Sequence, residues 1–203
     1  MARPSSLFTF RKPNMREIIT TDRLTLRRPA HADAPVMARL LNDPDILRMT
    51  ASLPQPFFTL AAEFWIMKQT ADWQRGLSYA YVITNQNDGF MGVMDLFTNC
   101  DGDWEIGYWL ARDYWGHGYI TEAASAVISE GFRVFDLAFV DAGYFVDNPA
   151  SGRVLDKLGF ISKNEPSNLY SVARAQRCAG IELRLGRKTA MNKFGFEDKQ
   201  AIS

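Results

Sequence analysis

The chain has 203 residues, 47% of them apolar, which is enough for one domain with a sizeable core. Lys and Arg total 23, as do Asp and Glu, so there is no excess of positive charge for a nucleic acid or an anionic membrane surface. Cys100 and Cys178 are too few for a disulfide scaffold and suit a reducing cytoplasm, no Cys/His cluster has metal-ligand spacing, and no apolar run approaches the ~18 residues of a membrane span.

Residues 1–14 read as an N-terminal extension. Arg11 and Lys12 follow the short apolar group Leu7 to Phe10, the wrong order for a secretory signal, and Met15 offers an alternative start. Strand composition then predicts a strand over 23–28. Helical spacing predicts helices over 32–41 and 60–73, with a short turn near 45–49 between them. Strands follow over 79–84, 89–97 and 104–110, joined by polar turns at 85–89 and 99–103. A helix is predicted over 120–134, a strand over 139–146, a helix over 149–158, and short strands over 160–163 and 180–185. The tail from 189 to 203 reads as loose.

Two segments stand out. Trp104-Glu-Ile-Gly-Tyr-Trp-Leu110 has strand patterning, and it leads through Gly116 and Gly118 into apolar residues at helical spacing, Ile120, Ala124, Val127 and Ile128. A turn with bare backbone before a helix gathers orphan N–H groups and the positive end of the helix dipole, which suits a phosphate. The dinucleotide fingerprint needs a third glycine where Thr121 stands, and the Gly-Lys-Ser/Thr of a P-loop is absent, so an ordinary tight turn stays open as the alternative. The second segment is Asn148-Pro-Ala-Ser-Gly-Arg-Val-Leu-Asp-Lys-Leu-Gly-Phe160. It carries an N-cap residue, a proline at the first helical position and a glycine just past the end.

Trp115-Gly-His-Gly-Tyr-Ile-Thr-Glu-Ala123, followed by Asn148-x-x-Ser-x-x-Val-Leu-x-Lys-Leu-Gly-Phe160, resembles the GNAT N-acetyltransferase superfamily. The likeness is to its RimJ/RimL-type branch of ribosomal-protein-alanine acetyltransferases, whose first strand Thr21-Asp-Arg-Leu-Thr-Leu-Arg27 also resembles. It spans residues 18–185. The resemblance implies an α+β chain: a GNAT-like acyl-CoA N-acyltransferase fold, with a central, mostly antiparallel mixed sheet flanked by helices, as a single domain over 15–188. It implies acetyl-CoA as co-substrate and no metal. The CoA pyrophosphate would lie on the backbone N–H groups of Trp115, Gly116, His117, Gly118, Tyr119, Ile120 and Thr121. The His117 ring is also within reach of the phosphates, unless it is a solvated loop histidine. Backbone of Tyr108 and Leu110 would face the acetyl and pantetheine portions, with the oxyanion near Tyr108, and Asn148 would contact the pantetheine arm.

The chain departs from the superfamily's pattern in four places, the first being Trp115, which opens the turn where Gln or Arg is usual, as it often does in this branch. Ile120 stands where a small residue usually closes the turn, and Arg112 where a proline is common. Leu155 replaces the tyrosine that many members use as acid to the thiolate, so Ser151 becomes the candidate for that role, with an ordinary third residue of the helix as the alternative. Glu122, one turn inside a phosphate site, is expected to point away and pair elsewhere. For the base, the two-residue period puts Glu105 on one strand face with Gly107 and Trp109, a carboxylate against an aromatic wall; a surface carboxylate at a strand start is the alternative. The aromatic residues Phe57, Phe58, Phe64, Trp65 and Trp73 fall in the region expected to shape the acceptor pocket, although aromatic residues at helical spacing are more often core than pocket.

The expected activity is transfer of acetyl from acetyl-CoA to a primary amine by direct attack in a ternary complex. The first choice of acceptor is a protein N-terminal α-amine, in a cytoplasmic monomer or homodimer without nucleic-acid or membrane partners. The alternatives are a small-molecule amine (antibiotic, polyamine or amino acid) and a non-catalytic acyl-CoA-binding regulatory module.

Overall fold

The computed structural model describes residues 14–87 and 89–196. Most of the expected N-terminal extension, and the tail beyond residue 196, lie outside the described residues.

One nine-stranded sheet runs through the chain in the order β1-β2-β3-β4-β5-β6-β9-β7, with β8 paired to β9. Its strands are β1 (Ile18–Thr20), β2 (Thr25–Arg27), β3 (Ser78–Thr84), β4 (Gly92–Thr98), β5 (Trp104–Leu110), β6 (Phe139–Phe145), β7 (Ile161–Ser162), β8 (Ser167–Ser171) and β9 (Gln176–Gly186). The helices are α1 (Ala34–Leu41), α2 (Pro44–Leu47), α3 (Thr59–Arg75), α4 (Tyr119–Val134), α5 (Pro149–Leu158) and α6 (Arg187–Phe194). Every pairing is antiparallel except β5 with β6, which gives the mixed, mostly antiparallel α+β arrangement that the sequence leads one to expect.

Strand β3 is buried at six of its seven positions because helices cover both faces of the sheet. On one face, α1, α2 and α3 pack Met37, Leu41, Leu47 and Ile66 over Val82, Val93 and Trp109. On the other, α4 and α5 pack Val127, Ile128, Leu155 and Leu158 over Tyr81, Met94, Ile106 and Leu110. Strand alternation therefore sorts β5 cleanly. Glu105, Gly107 and Trp109 look toward α1–α3, and Ile106, Tyr108 and Leu110 toward α4 and α5.

The parallel pair is short. Glu105 lies opposite Asp141 and Ile106 opposite Ala142, and beyond them the two strands part. Each stays paired on its outer side, β5 with β4 as far as Leu110 and β6 with β9 as far as Phe145. The separation leaves main-chain groups of 107–110 facing a gap in the sheet.

Close backbone approach at the start of β4 fixes the far end of β5. A Cβ on Gly92 would lie 2.3 Å from the Trp109 carbonyl oxygen and 2.9 Å from Leu110 Cα. Neither backbone atom can rotate away, so Gly92→Ala is expected to destabilise the fold by about 3 kcal/mol, the top of the range for overpacking. Urea unfolding followed by circular dichroism measures this.

Three elements depart from the sequence expectation. Strands β1 and β8 were not predicted; β1 has three residues and β8 has polar residues at most positions, so neither shows a period. The expectation of a loose tail from residue 189 fails as far as residue 196. There α6 buries Ala190 completely, and Phe196 stacks on Phe132 with ring centroids 5.6 Å apart. Such a pair is worth roughly 0.5–1.5 kcal/mol beyond area burial. The docking is tertiary, so a pattern confined to the segment does not announce it.

Candidate active site

A cavity of about 650 Å³ opens where β5 and β6 part, and it reaches both faces of the sheet. The glycine turn and the start of α5 line one end. Asp95, Glu105, Trp65 and Trp109 line the other, with the segment between α2 and α3 running alongside.

The turn has the geometry that the two glycines suggest. Gly116 and Gly118 both have φ +79°, and Gly118 is the N-cap of α4. No side chain caps that helix end, and the first helical N–H bonded within it belongs to Glu122, which donates to Gly118 O at 3.1 Å. The donors just ahead of it are the orphans of a helix start, and beyond the α-hydrogens of Gly116 there is open space, but the Trp115 N–H is given to Arg112 O at 3.0 Å and so drops out of the expected set of donors. These residues fit a diphosphate: uncommitted N–H groups, a helix dipole and no Cβ in the way.

Glu122 is turned from this cradle. It accepts from Thr21 Oγ1 at 2.6 Å and from Arg23 Nε at 2.7 Å. Burial works against its charge, but the Thr21 and Arg23 bonds outweigh it and hold the carboxyl below its ordinary range. Arg23 also donates to His117 O at 3.0 Å, and so braces the turn from outside. That is the structural reason for Thr21-x-Arg23 at the chain's opening. Trp115 anchors the other side, its indole N–H donating to Leu110 O at 2.7 Å.

Of the residues expected to hold CoA, Tyr108, Leu110, Trp115, Gly116, Gly118, Ile120, Thr121, Asn148 and Ser151 line the cavity together. His117 and Tyr119 do not. Their rings pack on each other, centroids 5.6 Å apart, and the Arg23 guanidinium lies over Tyr119. Ile120 does not crowd the turn: its residue is 8% exposed and its side chain joins the core. Arg112, in the place of a proline, is spent on Asp43 and Asp45.

At the start of α5, Asn148 caps the helix by accepting from Ser151 N at 3.3 Å. Leu155 is fully buried core. Sequence reasoning missed the partner of Ser151: its Oγ lies 2.7 Å from the Tyr108 hydroxyl, which crosses the gap from β5. Burial pushes the Tyr108 phenol up to about 12, against the Ser151 hydrogen bond, so it stays protonated. A tyrosine is thus present beside the expected acid, supplied by the strand instead of the helix.

Glu105 lies on the opposite face of the sheet and also lines the cavity. Burial raises its pKa, against a hydrogen bond from Asn99 Nδ2 at 3.4 Å and the charge of Lys163, while Asp141 and Glu182 add repulsion. A second carboxylate was not foreseen. Asp95 sits opposite Gly107 in the β4–β5 register and lines the same wall. Burial pushes it up to about 6, against its bond from Ser78 Oγ at 2.8 Å. A carboxylate inside the apolar run Gly92-Val-Met-Asp-Leu-Phe97 was the signal available in the sequence. Of the five aromatic residues considered for an acceptor pocket, Trp65 lines the cavity; Phe57 and Trp73 are core, and Phe58 and Phe64 are exposed.

Residues 23–161 match the acetyltransferase (GNAT) domain family. Among relatives, YkkB of Bacillus subtilis (strain 168), an uncharacterised protein, is 31% identical over 156 residues, covering 72% of this chain and 86% of its own. The uncharacterised N-acetyltransferase p20 of Bacillus licheniformis is 27% identical over 146 residues, 71% of this chain and 82% of its own. Among solved structures, RimL, a ribosomal L7/L12 α-N-protein acetyltransferase in complex with coenzyme A, superposes with a TM-score of 0.75 at 21% identity, over 85% of this chain and 99% of that one. The chain therefore belongs to the GNAT acetyltransferase family, and it is an acetyl-CoA-dependent N-acetyltransferase. The non-catalytic alternative rested on Ile120 and Leu155, and both are core side chains.

Proposed function

We propose that this enzyme acetylates a protein N-terminal α-amine, with the glycine turn holding CoA and Glu105 serving as base. The observation that carries the reading is the cavity's polarity. Uncommitted N–H donors stand at one end, a carboxylate with a raised pKa stands at the other, and the gap between β5 and β6 joins them.

When bound, acetyl-CoA supplies the acetyl group as an activated thioester. Main-chain groups of β5 near Tyr108 face the gap and stabilise charge on the carbonyl oxygen without reorganising. Glu105 accepts the amine's proton, directly or through water, as the nitrogen bonds to the acetyl carbon. Ser151 Oγ gives a proton to the departing sulfur, and Tyr108 orients that hydroxyl and helps to restore its proton. Neither Cys100, exposed, nor Cys178 lines the cavity, so no covalent step is assigned to a thiol.

The choice of an α-amine has two supports. RimL, whose fold this chain shares, acts on such an amine by its name. An α-amine also has a pKa near 7.8 against about 10.4 for a lysine, roughly 3.5 kcal/mol less to overcome at one pH, which suits a single partly buried base. The second reading, a small-molecule amine, draws on a different observation. The segment beside the cavity is pinned to the β8–β9 hairpin, by Val172 N to Ala51 O at 2.8 Å and by Arg174 Nε to Arg48 O at 2.6 Å. A fixed roof favours a small guest over a chain.

Thiol release from acetyl-CoA over peptides with free N-termini, the same peptides N-blocked, and free amines decides between them. Release with free peptides alone supports the first reading, and release with free amines alone the second. Ser151→Ala is expected to lower kcat about 100-fold, a typical loss for a general acid. Tyr108→Phe should produce a smaller loss of the same kind, with CoA affinity retained.

A further inference from the structure

Four carboxylates line the cavity: Asp45, Asp95, Glu105 and Asp147. Two are ion-paired, Asp45 through a guanidinium that it shares with Asp43. Asp45 holds Arg112 at 2.6 Å, and Asp147 holds Arg48 at 2.7 Å and Arg174 at 2.9 Å. Asp95 and Glu105 have no ion pair among the described residues. The base acting on Asp95, Lys68, is committed to Asp72 at 2.6 Å.

Asp95 is held in place all the same. Ser78 Oγ lies 2.8 Å from its Oδ1 and 2.6 Å from Gln69 Oε1, so the one hydroxyl proton of a buried serine is shared between the carboxylate and α3. The wall around it is aromatic: Trp65 from α3, Phe97 on its own strand and Trp109 on β5. Gly107, directly across from Asp95, adds no side chain and leaves the space above the strands to the Phe97 edge. An uncompensated negative charge in an apolar cavity costs several kcal/mol, and it is retained where a cation arrives to offset it.

We propose that Asp95 is the docking site for the acceptor's primary ammonium group, with the apolar atoms next to that group seated against Trp65, Phe97 and Trp109. The inference rests on the reading that this end of the cavity takes the acetyl acceptor. An amine enters at neutral pH largely as its cation. Asp95 offsets that charge on entry, and Glu105, diagonally across the β4–β5 ladder, removes the proton for attack. The amide product is neutral, so it loses its hold on Asp95, and release is built into the same contact. The division of labour differs from that of a paired base: Asp95 governs binding and Glu105 governs turnover.

The test is a carboxyl-carbon NMR titration of the full chain, saturated with CoA, using phenethylammonium and its neutral product N-acetylphenethylamine as probes. Asp95→Asn assigns the Asp95 signal. The charged groups facing Asp95 are Lys68 and Asp72 from α3 and Glu105 from β5, and the Asp72 carboxyl signal serves as the control. Phenethylammonium is expected to lower the Asp95 midpoint by about one unit, which corresponds to about tenfold preferential binding to the ionised form. N-acetylphenethylamine is expected to leave it in place. Asp95→Asn should weaken phenethylammonium binding about tenfold by calorimetry, with CoA affinity unchanged, and raise KM for amines more than it lowers kcat. An Asp95 midpoint indifferent to phenethylammonium, or an Asn variant that binds it like the parent, overturns the proposal. If Asp95 responds but no amine is acetylated, the acetyl-acceptor reading fails and the ammonium subsite stands. If amines are acetylated while Asp95 stays indifferent, the reverse holds.

Discussion

A Gly118→Asp protein is expected to lose CoA affinity about 100-fold, a change of ~2.7 kcal/mol, while melting cooperatively near the parent temperature. One term acts on stability and the other on affinity. Gly118 has φ +79°, a conformation that costs a side-chain residue about 1–2 kcal/mol, less for Asp than for most. The new carboxylate would then stand at the N-terminus of α4, where the diphosphate charge is expected. Like charges a few ångströms apart repel by about 1 kcal/mol in water and about 4 kcal/mol in a partly buried site, and a diphosphate carries more than one. Stability suffers less, because a carboxylate at a helix start gains about 0.3–1 kcal/mol from the dipole. The Arg23 guanidinium, 3.6 Å from where the Cβ would lie, offers a further partner. Gly118→Asn separates the terms: it keeps the shape and backbone strain without the charge, so it should lose much less affinity. Isothermal titration with CoA, beside a thermal melt, reads both variants. Affinity in the Asp variant within a few-fold of the parent would remove the phosphate from this turn.

The glycine turn was legible because its signal is local. Two glycines at φ +79° and a helix start are consequences of residues within a few positions of one another. The same holds for Asn148, whose cap on Ser151 N is a contact three residues long. What the sequence could not carry is contact between distant segments. The brace from Arg23 to His117 spans 94 residues, and the bridge from Tyr108 to Ser151 spans 43. Tyr108 shows the limit clearly. Strand alternation separates it from Glu105, but it does not say that β6 peels away after Ala142 and lets the phenol cross to α5. Asp95 was missed for another reason. Its position within an apolar run was visible, but its meaning depends on Lys68 being taken by Asp72, and so on which charges are already paired. Pairings of this kind join distant segments, which is why the shape of the glycine turn is readable from sequence and the unpaired state of Asp95 is not.

Glu105→Gln is expected to lower kcat about 100-fold near neutral pH with CoA affinity intact, as for loss of a general base. The pH profile carries more information than the size of the loss. In the parent, activity should rise with pH as Glu105 ionises, and because burial raises its pKa that limb lies above the ordinary carboxylate range. In the Gln variant the limb should vanish, and the remaining rate should climb only as the acceptor amine deprotonates itself. The two profiles therefore converge at high pH. A group that merely packs the cavity wall would lower the rate by a constant factor at every pH, so parallel profiles would remove Glu105 from proton transfer. Stability gives an independent check of the same carboxylate. A carboxyl whose folded pKa is raised favours the native state at low pH and opposes it once ionised, so its favourable contribution is lost as pH rises through the folded value. Above that value Gln removes an unfavourable buried charge, and the melting temperature should increase; below the unfolded value the two proteins should melt alike. A rate that falls while the melting temperature rises marks a carboxylate kept for chemistry at the expense of the fold.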